Sequence, residues 1–320
     1  MRAIRVHAFG GPEVMQLEEV VDPEPGTGQL VVEVKAIGIS PIDTYMRSGN
    51  YYLLPSLPYT PGFEASGVVE SVGQGVKDWS PGDRVFVYHS VTGTYAAKTL
   101  CPESSLYPLP DHLSFAQGAV APVSYSTAYQ ALFHRGRAIP GMSILVHGAT
   151  GGVGLAAVQL ALAAGMTVIA TGGTEKGRVM VAEQGVQEVL DHTAANYLDK
   201  VLVLTAGQGV DLILEMLANV NLGRDLKVLA LGGKVVIIGS RGPVEINPRE
   251  AMTRDASILG MQIRNASEQE KRSIKAALVA GLRNRTLRPV IGQEIPLAEA
   301  PRGHRELMES SHHGKIVLIP

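Results

Sequence analysis

The stretch that decides the fold is Leu145-Val146-His147-Gly148-Ala149-Thr150-Gly151-Gly152-Val153-Gly154. It follows an apolar segment typical of a buried strand, and it opens an apolar segment typical of a helix. Ala149, Gly151 and Gly154 stand at the three positions of the dinucleotide-binding fingerprint, although Ala replaces the usual Gly at the first. The start of the helix would present unpaired N–H groups to phosphate. The alternative is a tight turn without a ligand, but strand, turn and helix together favour a dinucleotide.

The strand predicted next, at 167–170, indicates which dinucleotide is bound. NAD-binding chains carry an acidic residue at this strand tip, where it takes the ribose hydroxyls. Here the tip reads Thr171-Gly172-Gly173-Thr174-Glu175-Lys176, with no carboxylate at the strand end itself. Gly173 leaves space and Lys176 supplies positive charge for a 2′-phosphate, although Glu175 is close and Lys176 could be a solvated helix-start residue. The missing acid, more than the lysine, predicts NADPH rather than NADH.

Strands and helices alternate on both sides of this motif. Continuous apolar strands are predicted at 144–146, 167–170, 189–190, 211–214 and 234–238. Joined by helices, such strands indicate a doubly wound parallel sheet that is covered on both faces. The first 120 residues differ, because short strands with frequent Pro and Gly turns are typical of a partly closed β-barrel.

The predicted organisation is therefore α/β, with two domains and a returning segment. A β-barrel domain is predicted over 1–121 and a dinucleotide-binding domain over 122–263. The segment 264–320, with an amphipathic helix and a terminal strand, is predicted to return to the first domain.

The composition excludes several classes of protein. The chain has 320 residues, 45% of them hydrophobic, which allows two ordinary globular domains. A net charge of −2 gives no basic field for nucleic acid or an anionic membrane. No apolar run reaches the roughly 18 residues of a membrane span, and no signal peptide is visible. The single cysteine, Cys101, cannot form an intrachain disulfide and is predicted to be inert, so a cytoplasmic protein is expected.

A superfamily resemblance comes from Pro61-Gly62-Phe63-Glu64-Ala65-Ser66-Gly67-Val68-Val69. This segment looks like the Gly-His-Glu segment of the medium-chain dehydrogenase/reductase superfamily, which implies a GroES-like catalytic domain followed by a Rossmann domain. Zinc alcohol dehydrogenases use that histidine as a metal ligand, and the position here is Phe63. The preceding cysteine ligand is also absent, since the matching stretch reads Gly38-Ile39-Ser40-Pro41-Ile42-Asp43. Phenylalanine cannot bind zinc and a serine hydroxyl is a poor substitute for thiolate, so no metal is expected.

Over almost its whole length the chain resembles the zeta-crystallin-like quinone oxidoreductases. The motifs that carry this resemblance are Phe9-Gly10-Gly11-Pro12-Glu13-Val14, Tyr45-Met46-Arg47-Ser48-Gly49, Pro58-Tyr59-Thr60-Pro61-Gly62, Val146 to Gly154, Glu215-Met216-Leu217-Ala218-Asn219-Val220-Asn221-Leu222, Gly239-Ser240-Arg241-Gly242 and Glu245-Ile246-Asn247-Pro248-Arg249. The resemblance implies a metal-independent enzyme that transfers reducing equivalents from NADPH to a quinone. It also implies a homodimer or homotetramer.

The fingerprint and the resemblance together imply a set of site residues. Tyr45 would lie beside the nicotinamide and is the candidate catalytic residue. The cofactor-binding candidates are Tyr45, Ala149, Thr150, Gly151, Gly152, Val153, Gly154, Gly173, Lys176, His192, Asn221, Ile238, Gly239, Ser240, Arg241, Met261, Gln262 and Ile263. The resemblance places 150–153 at the pyrophosphate, His192 near the adenine ribose, and 238–241 beneath the nicotinamide half.

Three of these candidates have simpler explanations. Tyr45 could be a half-buried aromatic residue of the β-rich domain. His192 could be a surface turn residue, since His serves many roles. Asn221 could cap a helix, because Asn is a favoured N-cap.

The missing zinc ligands point to an activated acceptor. A quinone accepts hydride without a Lewis acid, whereas an unactivated ketone would benefit from zinc polarisation. The sequence therefore predicts an NADPH-dependent quinone reductase. The alternatives are an NADPH-dependent 2-alkenal or enoyl reductase, and a zeta-crystallin-type structural or AU-rich-RNA-binding protein, the last without support from the charge.

Overall fold

The computed structural model describes residues 1–309 and 313–320. His312, which the sequence suggests is part of a solvated turn, lies outside the described residues. The strands are β1 (Arg2–Val6), β2 (Met15–Glu19), β3 (Gln29–Gly38), β4 (Glu64–Val72), β5 (Arg84–Tyr88), β6 (Lys98–Pro102), β7 (Leu106–Pro108), β8 (Ser143–Val146), β9 (Thr167–Gly172), β10 (Glu188–Asp191), β11 (Val210–Glu215), β12 (Leu229–Ile237), β13 (Ser257–Gly260), β14 (Ile291–Pro296) and β15 (Lys315–Ile319). The α-helices are α1 (Pro41–Arg47), α2 (Phe115–Tyr129), α3 (Gly152–Ala163), α4 (Glu175–Ala182), α5 (Tyr197–Leu204), α6 (Ala218–Asp225), α7 (Pro248–Met252), α8 (Glu268–Arg283) and α9 (Ala300–Glu309).

The first of two compact units comprises Met1–Val123 and Arg288–Pro320. Its main sheet has the order β14-β15-β3-β4-β5-β7, with β6 also paired to β3. Antiparallel pairing joins these strands, except for the parallel pair β14 and β15. At Gly67 an added Cβ would lie 1.9 Å from the Glu33 carbonyl oxygen, so only glycine permits this close approach of β3 and β4. The β-rich character predicted for this part of the chain is confirmed.

The second unit, Ser124–Leu287, is built on a six-stranded parallel sheet of order β10-β9-β8-β11-β12-β13. The chain adds β9 and β10 on one side of β8, then returns to add β11 to β13 on the other. The order therefore reverses between β8 and β11, which in doubly wound sheets is where ligands bind. Leu145, Ile213 and Val235 are fully buried in its core, which explains the continuous apolar strands in the sequence.

The five strands predicted for this sheet are all present, whereas β13 was not predicted. β13 lies at the end of the strand order, has four residues, and alternates between partly buried and exposed positions. A short edge strand of this kind lacks the long apolar run that identifies a central strand.

The chain returns to the first unit later than the predicted position, 264. The return begins at Arg288, and α8 belongs to the second unit. The Gln130 amide donates to Glu270 Oε1 at 3.3 Å, and the hydroxyls of Tyr129 and Ser273 are 3.4 Å apart. An amphipathic pattern predicts a buried helix face but not the element against which that face packs.

Among the described residues, no helix is long and apolar enough to cross a membrane.

Candidate functional site

The glycine-rich turn joins β8 to α3 at the carboxyl edge of the parallel sheet. Gly148 has a φ of +55°, in the left-handed region that favours glycine. Gly151 is the N-cap of α3, and no side chain there accepts a hydrogen bond from the first N–H groups of the helix. These N–H groups can therefore bind a phosphate, and the helix dipole adds positive potential at the same place.

The residues of this turn divide into packing positions and open positions. Ala149 and Gly154 are buried, whereas 150–153 are partly exposed. A Cβ on Gly154 would lie 2.4 Å from the Gly148 carbonyl oxygen, so the close contact between helix and turn requires glycine. A Cβ on Gly151 would meet only one atom, at 3.7 Å. The protein therefore leaves the space beside Gly151 open to a ligand.

Thr171, at the end of β9, fastens the turn to the neighbouring strand. Its carbonyl oxygen accepts the Ala149 N–H at 2.9 Å, and its hydroxyl accepts the Gly148 N–H at 3.1 Å. Thr150 lies against the same strand tip, since a Cβ on Gly172 would come within 2.9 Å of its methyl group. The turn is therefore held rigidly from one side and is open at 150–153.

Two cations lie near the tip of β9. Lys176 is exposed in the first turn of α4, and within residues 1–309 and 313–320 it forms no ion pair. Arg178, which the sequence reasoning missed, donates to the Gly172 carbonyl oxygen at 3.3 Å and pairs with Asp191 at 3.1 Å. Because Arg178 is already engaged, Lys176 is the cation available to a ligand at this position.

The structure corrects the reason given for Gly173. The sequence suggested that Gly173 leaves space for a phosphate, but a Cβ there would lie 2.8 Å from His192 Nε2. His192 follows β10, is exposed, and its Nδ1 is 3.4 Å from the Thr171 hydroxyl oxygen. His192 is thus both a surface turn residue and a neighbour of the strand tip, and its ring occupies the space beside Gly173.

The structure also excludes the capping explanation for Asn221. The N-cap of α6 is Leu217, and Asn221 lies four residues further, inside the helix. Its amide donates to Glu215 Oε1 at 3.2 Å, and its Oδ1 accepts from Arg224 at 3.0 Å. Asn221 is therefore oriented by charged neighbours at the carboxyl end of β11.

The remaining candidates of this unit follow β12 and β13. Ile238 and Gly239 donate their N–H groups to the Glu215 carbonyl oxygen at 2.8 and 3.2 Å. The Arg241 N–H donates to Asn219 Oδ1 at 2.9 Å, and Ser240 is exposed. The segment Met261–Ile263 is partly exposed, and Met261 donates to the Ile237 carbonyl oxygen at 3.0 Å. The loops after β8, β9, β11, β12 and β13 thus meet at one edge of the sheet.

Tyr45 lies in the first unit, in the middle of the short helix α1, and is partly buried. The first unit also contains a cavity of about 370 Å³, whose lining includes Met46, Tyr59 and Phe63. Aromatic and apolar side chains of this kind suit a small ring compound.

Ser40, one of the two positions without a zinc ligand, belongs to a buried polar network, here named the Lys315 network (Ser40, Glu64 and Lys315). The Ser40 hydroxyl donates to Glu64 Oε1 at 2.9 Å, and the Lys315 ammonium donates to both Ser40 and Glu64. Lys315 also donates to the Ile39 carbonyl oxygen at 2.9 Å. The sequence reasoning did not find Lys315, because it lies 251 residues from Glu64. Phe63 points its ring edge-on to His89, at 5.5 Å between centroids.

A second buried group lies directly beneath the glycine-rich turn and is named the switch-point cluster (His147, Glu215 and Asp225). His147 follows β8, Glu215 ends β11 and Asp225 ends α6, so the cluster spans the point where the strand order reverses. His147 Nε2 is 2.9 Å from Asp225 Oδ1 and 3.5 Å from Glu215 Oε2. Burial raises the pKa of Glu215 to about 7, and the neighbouring Asp225 carboxylate acts in the same direction.

The pKa of His147 is also displaced. Burial alone lowers it, but the hydrogen bond and charge of Asp225, together with the charge of Glu215, outweigh burial and leave it above its ordinary value. Among the described residues, these three are the group whose ligand atoms lie close enough to surround a cation, within 4.8 Å of one another. Because His147 Nε2 is already hydrogen-bonded to Asp225, we interpret the group as a proton-holding cluster.

Comparison with known proteins agrees with this geometry. A family model described as the alcohol dehydrogenase GroES-like domain matches residues 26–111, and one described as zinc-binding dehydrogenase matches residues 152–278. Ser40 and Phe63, the two positions that lack zinc ligands, lie outside the match to residues 152–278. The two models correspond to the predicted GroES-like and Rossmann domains, and the predicted fold class is confirmed.

Individual relatives match the chain from end to end. A quinone oxidoreductase of Rattus norvegicus is 47% identical over 321 residues, which cover 100% of this chain and 98% of that protein. A crystal structure of Escherichia coli quinone oxidoreductase complexed with NADPH is 31% identical, with a TM-score of 0.90 and full coverage of both chains. A structure described as an NAD-dependent alcohol dehydrogenase is also 31% identical, with a TM-score of 0.93 and full coverage of both chains. The chain therefore belongs to the quinone oxidoreductase family of the medium-chain dehydrogenase/reductase superfamily.

Proposed function

We propose that the chain is an NADPH-dependent quinone reductase that needs no metal. The observation that carries the proposal is the bare helix start at Gly151, combined with full-length similarity to the rat quinone oxidoreductase. NADPH, when bound, supplies the reducing equivalents. A quinone accepts hydride readily, so the chain is required to position the two partners and exclude water rather than to polarise the acceptor.

The choice of NADPH over NADH rests on the tip of β9. The tip presents no carboxylate to the ribose, and Lys176 is exposed beside it. The E. coli relative was crystallised with NADPH, whereas the alcohol dehydrogenase of the same fold is described as NAD-dependent. Because the fold accepts both cofactors, the local residues carry the assignment.

The residues are assigned as follows. The loop 150–153 binds the pyrophosphate through the N–H groups of Thr150, Gly152 and Val153, since the Gly151 N–H already donates to the Gly148 carbonyl oxygen at 3.2 Å. Lys176 binds the 2′-phosphate. Asn221 and 238–241 hold the nicotinamide half, and 261–263 form a further cofactor segment. Tyr45, in the first unit, is kept as the catalytic candidate on the family resemblance. His192 lies at the adenine ribose, where its contact with Gly173 orients the imidazole.

The direct test mixes purified protein with NADPH and a small quinone, with and without a chelator, and follows absorbance at 340 nm. We expect quinone-dependent oxidation of NADPH that the chelator leaves unchanged. If a 2-alkenal caused oxidation of NADPH and none of the quinones did, alkenal reduction would replace the proposal. The curated relatives do not favour that outcome. Loss of turnover with the chelator would contradict metal independence.

A homodimer or homotetramer is proposed as the assembly. The edge strand β13 ends the sheet of the second unit, and Ile258 on it is 36% exposed. Such edges commonly pair across a two-fold axis. Sedimentation analysis of the wild type and of Ile258→Lys tests this, since a charge on the paired edge should favour monomers.

A cytoplasmic location is proposed as well, and RNA binding is kept as an alternative that the net charge of −2 does not support. Burial raises the pKa of Cys101 to about 12, so this thiol is unreactive. Because it is the single cysteine of the chain, no intrachain disulfide can form, which suits a reducing compartment. A gel shift at physiological salt with an AU-rich RNA should show no complex. A complex that NADPH displaces would support RNA binding at the cofactor site.

A further inference from the structure

The switch-point cluster has an unbalanced charge. Glu215 and Asp225 are both fully buried, and the His147 side chain is 3% exposed. Two carboxylates therefore face a single imidazole. Glu215 Oε2 and Asp225 Oδ2 are both buried without a hydrogen-bond partner. A buried, unpaired anion is so unfavourable that an extra proton is expected between the two carboxyl groups.

Glu215 connects this proton to the proposed cofactor loops. Its Oε1 accepts the Leu217 N–H and the Asn221 amide, and its backbone carbonyl oxygen accepts the N–H groups of Ile238 and Gly239. One residue thus holds the loops after β11 and β12 through four donors. On the other side of the cluster, His147 directly precedes Gly148 and donates its N–H to the Leu214 carbonyl oxygen at 3.1 Å.

We propose that Glu215 is a positioning residue of the dinucleotide site, and that a proton shared with Asp225 keeps it oriented toward Leu217 and Asn221. When the proton leaves, two anions face each other in the core. Their repulsion displaces the Glu215 carboxylate from its donors and loosens the loops that hold the nicotinamide half. Cofactor affinity is therefore highest while the cluster is protonated. The inference rests on the proposed NADPH site.

The groups that face the cluster from neighbouring elements do not replace this proton. Arg224 lies over the Tyr197 ring at 5.6 Å, and the Tyr197 ring is edge-on to His147 at 6.1 Å. Burial raises the pKa of Tyr197 to about 12, so it stays neutral. Burial and the charge of His147 lower the pKa of His192, which disfavours its charged form. Within the cluster, the groups with displaced pKa values are His147 and Glu215.

The test measures the dissociation constant of NADPH by fluorescence titration at pH 6, 7 and 8 for the wild type and Glu215→Gln. The amide of glutamine imitates the protonated acid, because it can donate to Asp225 and still accept from Leu217 and Asn221. We expect equal constants at pH 6 and, at pH 8, binding by the wild type that is weaker by up to about tenfold, the limit for one linked proton. Because the cofactor's own phosphate titrates in this range, the ratio of the two constants at each pH is the informative quantity.

The matched control is Asp211→Asn. Asp211 lies at the amino end of β11, where its carboxylate accepts the Ser143 N–H at 2.7 Å, so it joins the same two strands at the opposite edge of the sheet. This variant should change thermal stability without changing the ratio to the wild-type constant between pH 6 and 8. The same pH-dependent ratio in Asp211→Asn would show that general loosening of the sheet explains the effect, and would overturn the inference.

Two further outcomes separate the inference from the proposed function. A ratio of wild type to Glu215→Gln that stays constant from pH 6 to 8, with tight binding throughout, would refute the role of Glu215 and leave the NADPH site intact. No binding of NADPH by the wild type at pH 6 would refute the site itself. Stoichiometric divalent metal in the purified wild type that is absent from Glu215→Gln would also overturn the inference, because a cation would then balance the charge.

Discussion

The two buried polar groups of this protein, one in each compact unit, neutralise their carboxylates in different ways. In the Lys315 network, Glu64 is paired with the ammonium group of Lys315, and its second oxygen accepts the Val123 N–H at 2.9 Å. In the switch-point cluster, Glu215 and Asp225 share one titratable imidazole and keep an unpartnered oxygen each. The first network is internally satisfied, whereas the second can gain or lose a proton.

The difference teaches which part of the molecule serves stability and which part serves binding. The Lys315 network has its donors and acceptors matched within the protein, so damage to it should appear as lost stability. The carboxyl edge of the parallel sheet leaves N–H groups and an exposed lysine unmatched, so damage there should appear as lost affinity. Four predictions test this division, from the largest expected effect to the smallest.

Replacing Lys315 with Met should give the largest loss of stability. The change leaves the Glu64 carboxylate buried and unpaired, which costs about 3–5 kcal/mol in the free energy of unfolding. Urea denaturation measures it. The double variant Lys315→Met with Glu64→Gln should recover part of the loss, because the buried charge is gone. If the single variant lost less than about 1 kcal/mol of unfolding free energy, the Lys315 network would not be an important source of stability.

Alanine at two glycines of the same turn should separate stability from binding. Gly154→Ala places a Cβ 2.4 Å from the Gly148 carbonyl oxygen, and should cost about 1–3 kcal/mol of unfolding free energy. Gly151→Ala meets nothing closer than 3.7 Å, so it should fold normally while weakening NADPH binding by about tenfold. Denaturation and fluorescence titration are compared for both. Normal NADPH affinity in Gly151→Ala would mean that no phosphate lies above this residue.

Removing the Lys176 ammonium should change the choice of cofactor. Lys176→Ala should raise the Michaelis constant for NADPH by about tenfold, since a charge-assisted hydrogen bond contributes about 1.5–3 kcal/mol. The constant for NADH should stay the same. Glu175→Gln, at the neighbouring exposed position, is the control and should affect NADPH slightly or in the opposite direction. Equal effects of Lys176→Ala on both cofactors would remove Lys176 from the 2′-phosphate site.

Raising the pH should weaken the fold through the switch-point cluster. The folded-state pKa of Glu215, about 7, lies above its value of 4.5 in an unfolded chain, so the folded protein holds more protons and stability falls as the pH rises through this interval. Between pH 6 and 8 the wild type should lose about 1 kcal/mol more than Glu215→Gln. If the free energy of unfolding changed by the same amount in both proteins between pH 6 and 8, Glu215 would not titrate in this range.

Local patterns were enough to predict the βαβ unit and the absence of the zinc ligands. The apolar strand before Gly148, the small residues after it and the helix that follows are neighbours in sequence, so their periodicity reports their structure directly. Phe63 and Ser40 could be recognised because a ligand position is a matter of residue type. The same local motifs carried the family resemblance that the full-length relatives confirm.

Other features depended on which distant residues come together. The sequence predicts that Gly173 leaves space for a phosphate, but in the tertiary structure the His192 ring occupies that space. It left Asn221 as a possible helix cap, but the folded chain turns its amide toward Glu215. The partner of α8 was also assigned to the wrong unit, since an amphipathic stripe carries no information about what it contacts.

By itself the sequence determined the local βαβ geometry, the small residues that a phosphate-binding turn requires, and the residue types at the former metal positions. Only the tertiary structure decided how the buried charges are balanced. Lys315 reaches Glu64 across 251 residues, and His147 reaches Asp225 across 78. The physical reason is that the pKa and pairing of a buried group depend on burial and on neighbours in space, which the chain order does not encode locally.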